Sequence, residues 1–152
     1  MSRVRTPAAS GGFTLVEMLA ALAIIAMVAA TAIPLLRPPS KGLRIDASAR
    51  SLCAALRSTR ARAIATNSEM ALVIDVARKT YRSPGISEMA LPPDAAVEMI
   101  VADSQREGPT RGGFLFFPSG GSSGGEVTLS ISGKRAKISV NWLTGEARCE
   151  IA

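Results

Sequence analysis

The sequence predicts an α+β protein: an apolar helix near the amino terminus, an amphipathic helix after it, and a head built on an antiparallel β-sheet or small β-sandwich. Three observations carry this reading. Met18 to Leu36 is a run of 19 residues without a charge. Behind it, Ile45, Ala49, Leu52, Cys53, Leu56, Ala63 and Ile64 recur at three- and four-residue spacing, as on one face of a helix. Beyond Asn67, short extended-type segments alternate with Gly, Pro and Ser clusters, and strands that follow helices in a block argue for an antiparallel sheet.

Composition narrows the function. With 152 residues there is room for one modest domain plus appendages. Histidine is absent, which removes histidine-based triads, the usual general base at neutral pH and the commonest metal ligand. Two cysteines do not supply the four ligands of a structural zinc site. No nucleophile stands beside a base, so neither an enzyme nor a cofactor is expected. The net charge of +6 is localised: Arg37 to Arg62 holds seven basic residues against Asp46 alone, while from Ala63 onward nine basic residues face ten acidic ones. That basic segment is either a solvated helix face or a surface for anionic lipid or nucleic acid.

Counted from Phe13, the apolar segment has 24 residues. As a helix it reaches about 36 Å, enough for a hydrocarbon core of ~30 Å. Glu17 lies within it, and a charge at mid-membrane costs roughly 2.5–3.5 kcal/mol on insertion scales. Three readings meet these facts. The segment is a secretory signal cut after Ala30-Thr31-Ala32, or an uncut anchor in which Glu17 is unexplained, or a helix freed from its leader so that Phe13 becomes the amino terminus. Only the third gives Glu17 a partner. The α-amine of Phe13 on a neighbouring subunit would offset the cost of burying either charge alone, and would select one register between helices.

Gly12-Phe13-Thr14-Leu15-Val16-Glu17, ahead of that run, closely resembles the processing motif of type IV pilins and of the pseudopilins of type II secretion. The resemblance implies cleavage between Gly12 and Phe13 by a prepilin peptidase that also N-methylates Phe13, with Glu17 as the assembly acid. Pro34 falls where such helices often carry proline. Arg3 and Arg5 on one side, and Arg37, Lys41 and Arg44 on the other, leave orientation undecided by charge. The resemblance implies a cytoplasmic leader and a periplasmic head. The chain then divides into a leader (1–12), a transmembrane assembly helix (13–36), a kinked linker with the amphipathic helix (37–66) and a β-rich head (67–152).

Arg37-Pro38-Pro39-Ser40 is expected to break or kink the helix, because proline restricts both itself and the residue before it. The amphipathic helix is expected from about Leu43 to Thr66, with Asn67 as a cap or turn residue. Strands are expected at Met70 to Val76, Thr80 to Arg82, Ala96 to Val101, Gly113 to Phe117, Val127 to Ile131, Lys137 to Trp142 and Glu146 to Ile151. Reversals fall at Ser132-Gly133-Lys134 and Thr144-Gly145. Ser83-Pro84-Gly85 and Leu91-Pro92-Pro93-Asp94 bracket an expected loop. Pro118 to Gly125 lacks the lysine and following helix of a phosphate loop, and reads as a flexible connection. Cys53 on the helix stripe and Cys149 on a strand face both point toward the core. A disulfide between them would contribute about 4–5 kcal/mol in the chain-entropy model, and two small buried hydrophobes are the other reading.

A narrower resemblance rests on Arg60-Ala61-Arg62-Ala63-Ile64 leading to Asn67, the strand Ala71 to Asp75 ending near Tyr81, Phe117-Pro118-Ser119-Gly120 with Ser123-Gly124-Gly125, and Leu143-Thr144-Gly145. These are similar to the H-type minor pseudopilins and their FimT-like minor-pilin relatives. The resemblance implies a structural subunit near the tip of a secretion pseudopilus. Its partners would be major and minor pseudopilins, the prepilin peptidase, inner-membrane lipid and folded secreted proteins. Its FimT-like branch implies the alternative, a minor pilin that binds DNA or supports pilus assembly. Lys134, Arg135 and Lys137, with Arg78, Lys79 and Arg82, are the candidate contacts for that role.

Overall fold

The computed structural model describes residues 14–32 and 40–151. The leader, the Gly12–Phe13 junction, Pro34 and the Pro38-Pro39 break lie outside the described residues. The chain divides into two units, residues up to Pro38 and residues from Pro39 onward.

In the first unit, helix α1 runs from Leu15 to Ala32. Thr14 caps it, its Oγ1 accepting from the Glu17 N–H at 3.2 Å. Near the other end the Thr31 hydroxyl bonds back to the Val28 carbonyl at 2.9 Å, so this polar group is satisfied within the helix.

The second unit opens with helix α2, Lys41–Ala65. It begins two residues before the expected start because Ser40 is a competent cap, its Oγ accepting from the Leu43 N–H. It ends in a Schellman arrangement: Ser68 N–H reaches the Ala63 carbonyl, Asn67 N–H reaches the Ile64 carbonyl, and Asn67 takes the left-handed conformation at φ 47°. Among the described residues nine strands follow: β1 Met70–Asp75, β2 Thr80–Ser83, β3 Ile86–Ala90, β4 Ala96–Val101, β5 Arg106–Glu107, β6 Arg111–Phe116, β7 Gly125–Ile131, β8 Lys134–Val140 and β9 Ala147–Ile151. They form two antiparallel sheets, ordered β3-β2-β1-β6-β5 and β4-β7-β8-β9. Helix α2 packs on strands of both.

The core lies between α2 and the inner faces of the sheets. Ile45, Leu52 and Leu56 of α2 meet Leu72, Phe114, Leu129 and Ile138, all fully buried. Two polar groups in it are partnered. Thr59 Oγ1 reaches the Ala55 carbonyl and Ser83 Oγ, and Tyr81 Oη lies 2.8 Å from Ser51 Oγ. Ile64, expected on the buried stripe, is instead 45% exposed. Thr59 takes an inward position, since a threonine that bonds to its own helix can be buried cheaply.

The strand reading needs four corrections. Residues 86–90 form β3, not a loop; Pro84-Gly85 is a tight turn, and Ile86 pairs with Ser83. Arg106–Glu107 adds a two-residue edge strand that was not expected. Strand β8 starts at Lys134, which pairs with Ile131 across a two-residue reversal, because Ser132 and Gly133 both have positive φ. It stops at Val140, where the Asn141 side chain takes the N–H groups of Leu143 and Thr144. Trp142 therefore lies in an exposed turn rather than in a strand.

The glycine-rich connection at 118–125 is a fixed feature and not a slack tether. Ser122 bridges to Phe116 and to the Trp142 carbonyl, and Ser123 exchanges hydrogen bonds with Leu115. Gly145 supports this packing at φ 65°, where a Cβ would strike the Gly120 carbonyl and lie 2.9 Å from Arg60 Nε. Gly145→Ala is expected to destabilise the head by more than about 1 kcal/mol, because it adds backbone strain to a clash. Urea unfolding of the head measures this, and an unchanged midpoint contradicts it.

Candidate functional site

The first site is α1 itself. Its large apolar side chains are exposed on every side, from 53% at Met18 to 78% at Leu15. A helix apolar all round is stable only among lipid or other apolar helices. As described, it has 18 residues and a length of about 27 Å. Among the described residues no helix is long and apolar enough to cross a membrane. The uncharged run continues through Leu36, beyond them. Glu17 is the one acid of this helix and sits in its first turn. Thr14 and Glu17 occupy the first and fourth positions of a capping box, a role the spacing Thr-x-x-Glu could have revealed. The helix dipole favours an acid there by ~0.3–1 kcal/mol.

The second feature is the row of arginines on α2. Arg44 binds Asp94 at 2.7 Å, and Arg57 donates twice to the Ala147 carbonyl. Arg60 donates to the Gly120 carbonyl and Arg62 to the Pro84 carbonyl, each at 2.9 Å. Four of the seven basic residues counted in this segment thus clamp the helix to three loops of the head and to the start of β9. Charge counting along the sequence reads them as free, because their acceptors, mostly backbone carbonyls, carry no sequence signal.

Cys53 of α2 and Cys149 of β9 are joined as a disulfide, with Cα atoms 6.5 Å apart. Cys53 is buried, while Cys149 is only partly so and Ile151 beyond it is exposed.

The basic residues considered for nucleic acid do not form one surface. Lys134 faces α2, where its Cδ approaches Gly42, whereas Arg135 and Lys137 project from the opposite face of β8. Lys137 is held by Glu126 at 2.7 Å, which raises its pKa above the usual lysine value. Arg78 pairs with Glu88, and Lys79 donates to the Pro93 carbonyl.

A cleft of about 240 Å³ on the outer face of the first sheet gathers Asp75, Arg78, Arg82, Glu88 and Arg111. Here the Arg78 backbone N–H, and then the Arg111 guanidinium at 2.8 Å, hold the Asp75 carboxyl below its ordinary value. A depressed carboxyl contributes stability above its unfolded pKa near 3.8 and loses it as the pH falls through the lower folded value. Head stability is therefore expected to decline below about pH 4. Asp75→Asn should flatten that decline in thermal melts run between neutral and acid pH. Among the described residues no cluster of acids and cysteines is arranged to hold a metal ion.

An apolar helix with one acid in its first turn, followed in sequence by a helix laid on antiparallel sheets, defines a type IV pilin-like subunit. Residues 8–33 match the prokaryotic N-terminal methylation motif. Residues 48–145 match the family described as Type II transport protein GspH. The chain is 33% identical over 137 residues to the Type II secretion system protein H of Xanthomonas campestris pv. campestris, covering 90% of this chain and 81% of that one. The fold is also similar to that of the minor pseudopilin EpsH from the Type 2 Secretion System of Vibrio cholerae, with a TM-score of 0.58 at 12% identity, covering 71% of this chain and 97% of the other. The chain belongs to the GspH family.

Proposed function

We propose that the chain is a minor pseudopilin of a type II secretion pseudopilus, placed near its tip, that supports export of folded proteins across the outer membrane. The observation that carries this is a helix apolar on all sides with one acid in its first turn, attached in sequence to a head with a core of its own. In this reading a prepilin peptidase cuts between Gly12 and Phe13 and methylates Phe13. The helix of residues 13–36 holds the chain in the inner membrane with the head in the periplasm. Glu17 then meets the Phe13 amine of the next subunit, and other major and minor pseudopilins are the partners. The role is structural. The family match over residues 48–145 and the methylation motif over residues 8–33 support it.

The test is complementation of a strain lacking this chain, with an exported folded enzyme as readout and cross-linking to other pseudopilins as the second measurement. Restored export together with cross-links supports the reading. Normal export without the chain contradicts it. DNA capture is the weaker reading, because its basic residues are split between faces or already paired.

A further inference from the structure

We propose that the end of the head where α2 begins rests on anionic phospholipid head groups of the inner membrane. The inference rests on the reading that residues 13–36 lie in the bilayer. Three cations lie at this end of the head, with Arg135 on the opposite face of β8 from Lys134. Lys41 Nζ lies 3.1 Å from Ser132 Oγ, in the β7–β8 turn. Lys134 follows that turn, with its Cδ against Gly42, and Arg135 follows Lys134. All three side chains are exposed, and among the described residues none makes an ion pair. The nearby acids do not cancel them. Asp94 is engaged by Arg44, and Asp46 stands one turn further along α2. Beside the cations Leu43 is 60% exposed, an apolar group suited to the boundary between head groups and chains.

Covalent connectivity says what this end meets. Only residues 37–40 separate Leu36, the end of the uncharged run, from Lys41. Even fully extended, that stretch holds Lys41 within about 18 Å of the run. Basic groups within a Debye length of an anionic surface are attracted by an amount equivalent to about fivefold in affinity each. The contact would fix the orientation of the head before the subunit enters a fibre. It also accounts for Lys134 and Arg135, which the structural clamps of α2 leave unused.

The head from Pro39 onward can be tested alone, because the whole described core and the disulfide lie inside it. Its binding to phosphatidylglycerol–phosphatidylethanolamine vesicles is measured by co-sedimentation, with phosphatidylcholine vesicles and a short DNA duplex as comparison probes. Binding to the anionic vesicles alone, weakened by salt, is expected. The combined Lys41→Gln, Lys134→Gln and Arg135→Gln variant should lose about a hundredfold. The Arg50→Gln, Arg82→Gln and Arg106→Gln variant, with the same charge change elsewhere, should lose less than tenfold. Equal losses in both variants, equal binding to phosphatidylcholine, or tighter binding to DNA through the same three residues would each overturn the proposal. This head lacks Phe13 and Glu17, so a negative result leaves the fibre-assembly reading intact. An uncut leader would end that reading without changing the vesicle result.

Discussion

Glu17→Gln is expected to leave cleavage and methylation at Phe13 intact while reducing incorporation into the fibre, and with it secretion, more than a hundredfold. The substitution separates the two roles this acid can have. Glutamine is an accepted partner in a capping box, so it keeps the local cap that begins at Thr14. It also gives up the helix-dipole contribution, which is only ~0.3–1 kcal/mol. What it removes altogether is the countercharge for the amine of a neighbouring subunit. An ammonium left unpaired in apolar surroundings costs about 3–5 kcal/mol, and that term decides the outcome. Glu17→Ala should behave in the same way. Immunoblots of processed protein, sheared fibre fractions and an exported enzyme assay give the three readouts. Near-normal secretion by the glutamine variant would assign Glu17 to helix capping and remove it from assembly.

Loss of the disulfide is the second large effect. The paired Cys53→Ser, Cys149→Ser variant is expected to lose about 2–5 kcal/mol of head stability. The bridge closes a separation of 96 residues and ties the last strand to the helix under which it packs. Strand β9 is a sheet edge of five residues, paired only to β8. Its Ala147 carbonyl also accepts from Arg57, and Ala147 packs in the core. Without the bridge the edge should open first, so hydrogen exchange should rise at residues 147–151 before the core responds. Denaturant unfolding with and without reductant measures the total. Two reactive thiols in unreduced, denatured protein, or identical midpoints for the two forms, would contradict this.

The parts of the molecule legible in sequence were those governed by local patterns. Strand β4 falls at Ala96–Val101 as expected, and Ser132-Gly133 makes the expected reversal. The H-type resemblance is shown by the family match. Less legible were features decided by partners distant in the chain. Residues 86–90 read as a loop because prolines flank them, yet pairing with β2 makes them a strand. Pro118 to Gly125 has the composition of a tether, and its order comes from bonds to Leu115, Asn141 and Trp142. The arginines of α2 read as excess charge, and their carbonyl acceptors, distant in the chain, could not be seen in one dimension. For the site, Glu17 was found from its cost in an apolar run, whereas its place in a capping box follows from three residues of spacing to Thr14.

The assembly role of α1 requires that Phe13 become a free amino terminus that can meet Glu17 of a neighbouring subunit. Mass spectrometry of the protein extracted from membranes settles this most directly. The prediction is a mature chain that begins at Phe13 and carries one added methyl group on its α-amine. A chain beginning at Ile33, or one that retains the leader, would contradict it.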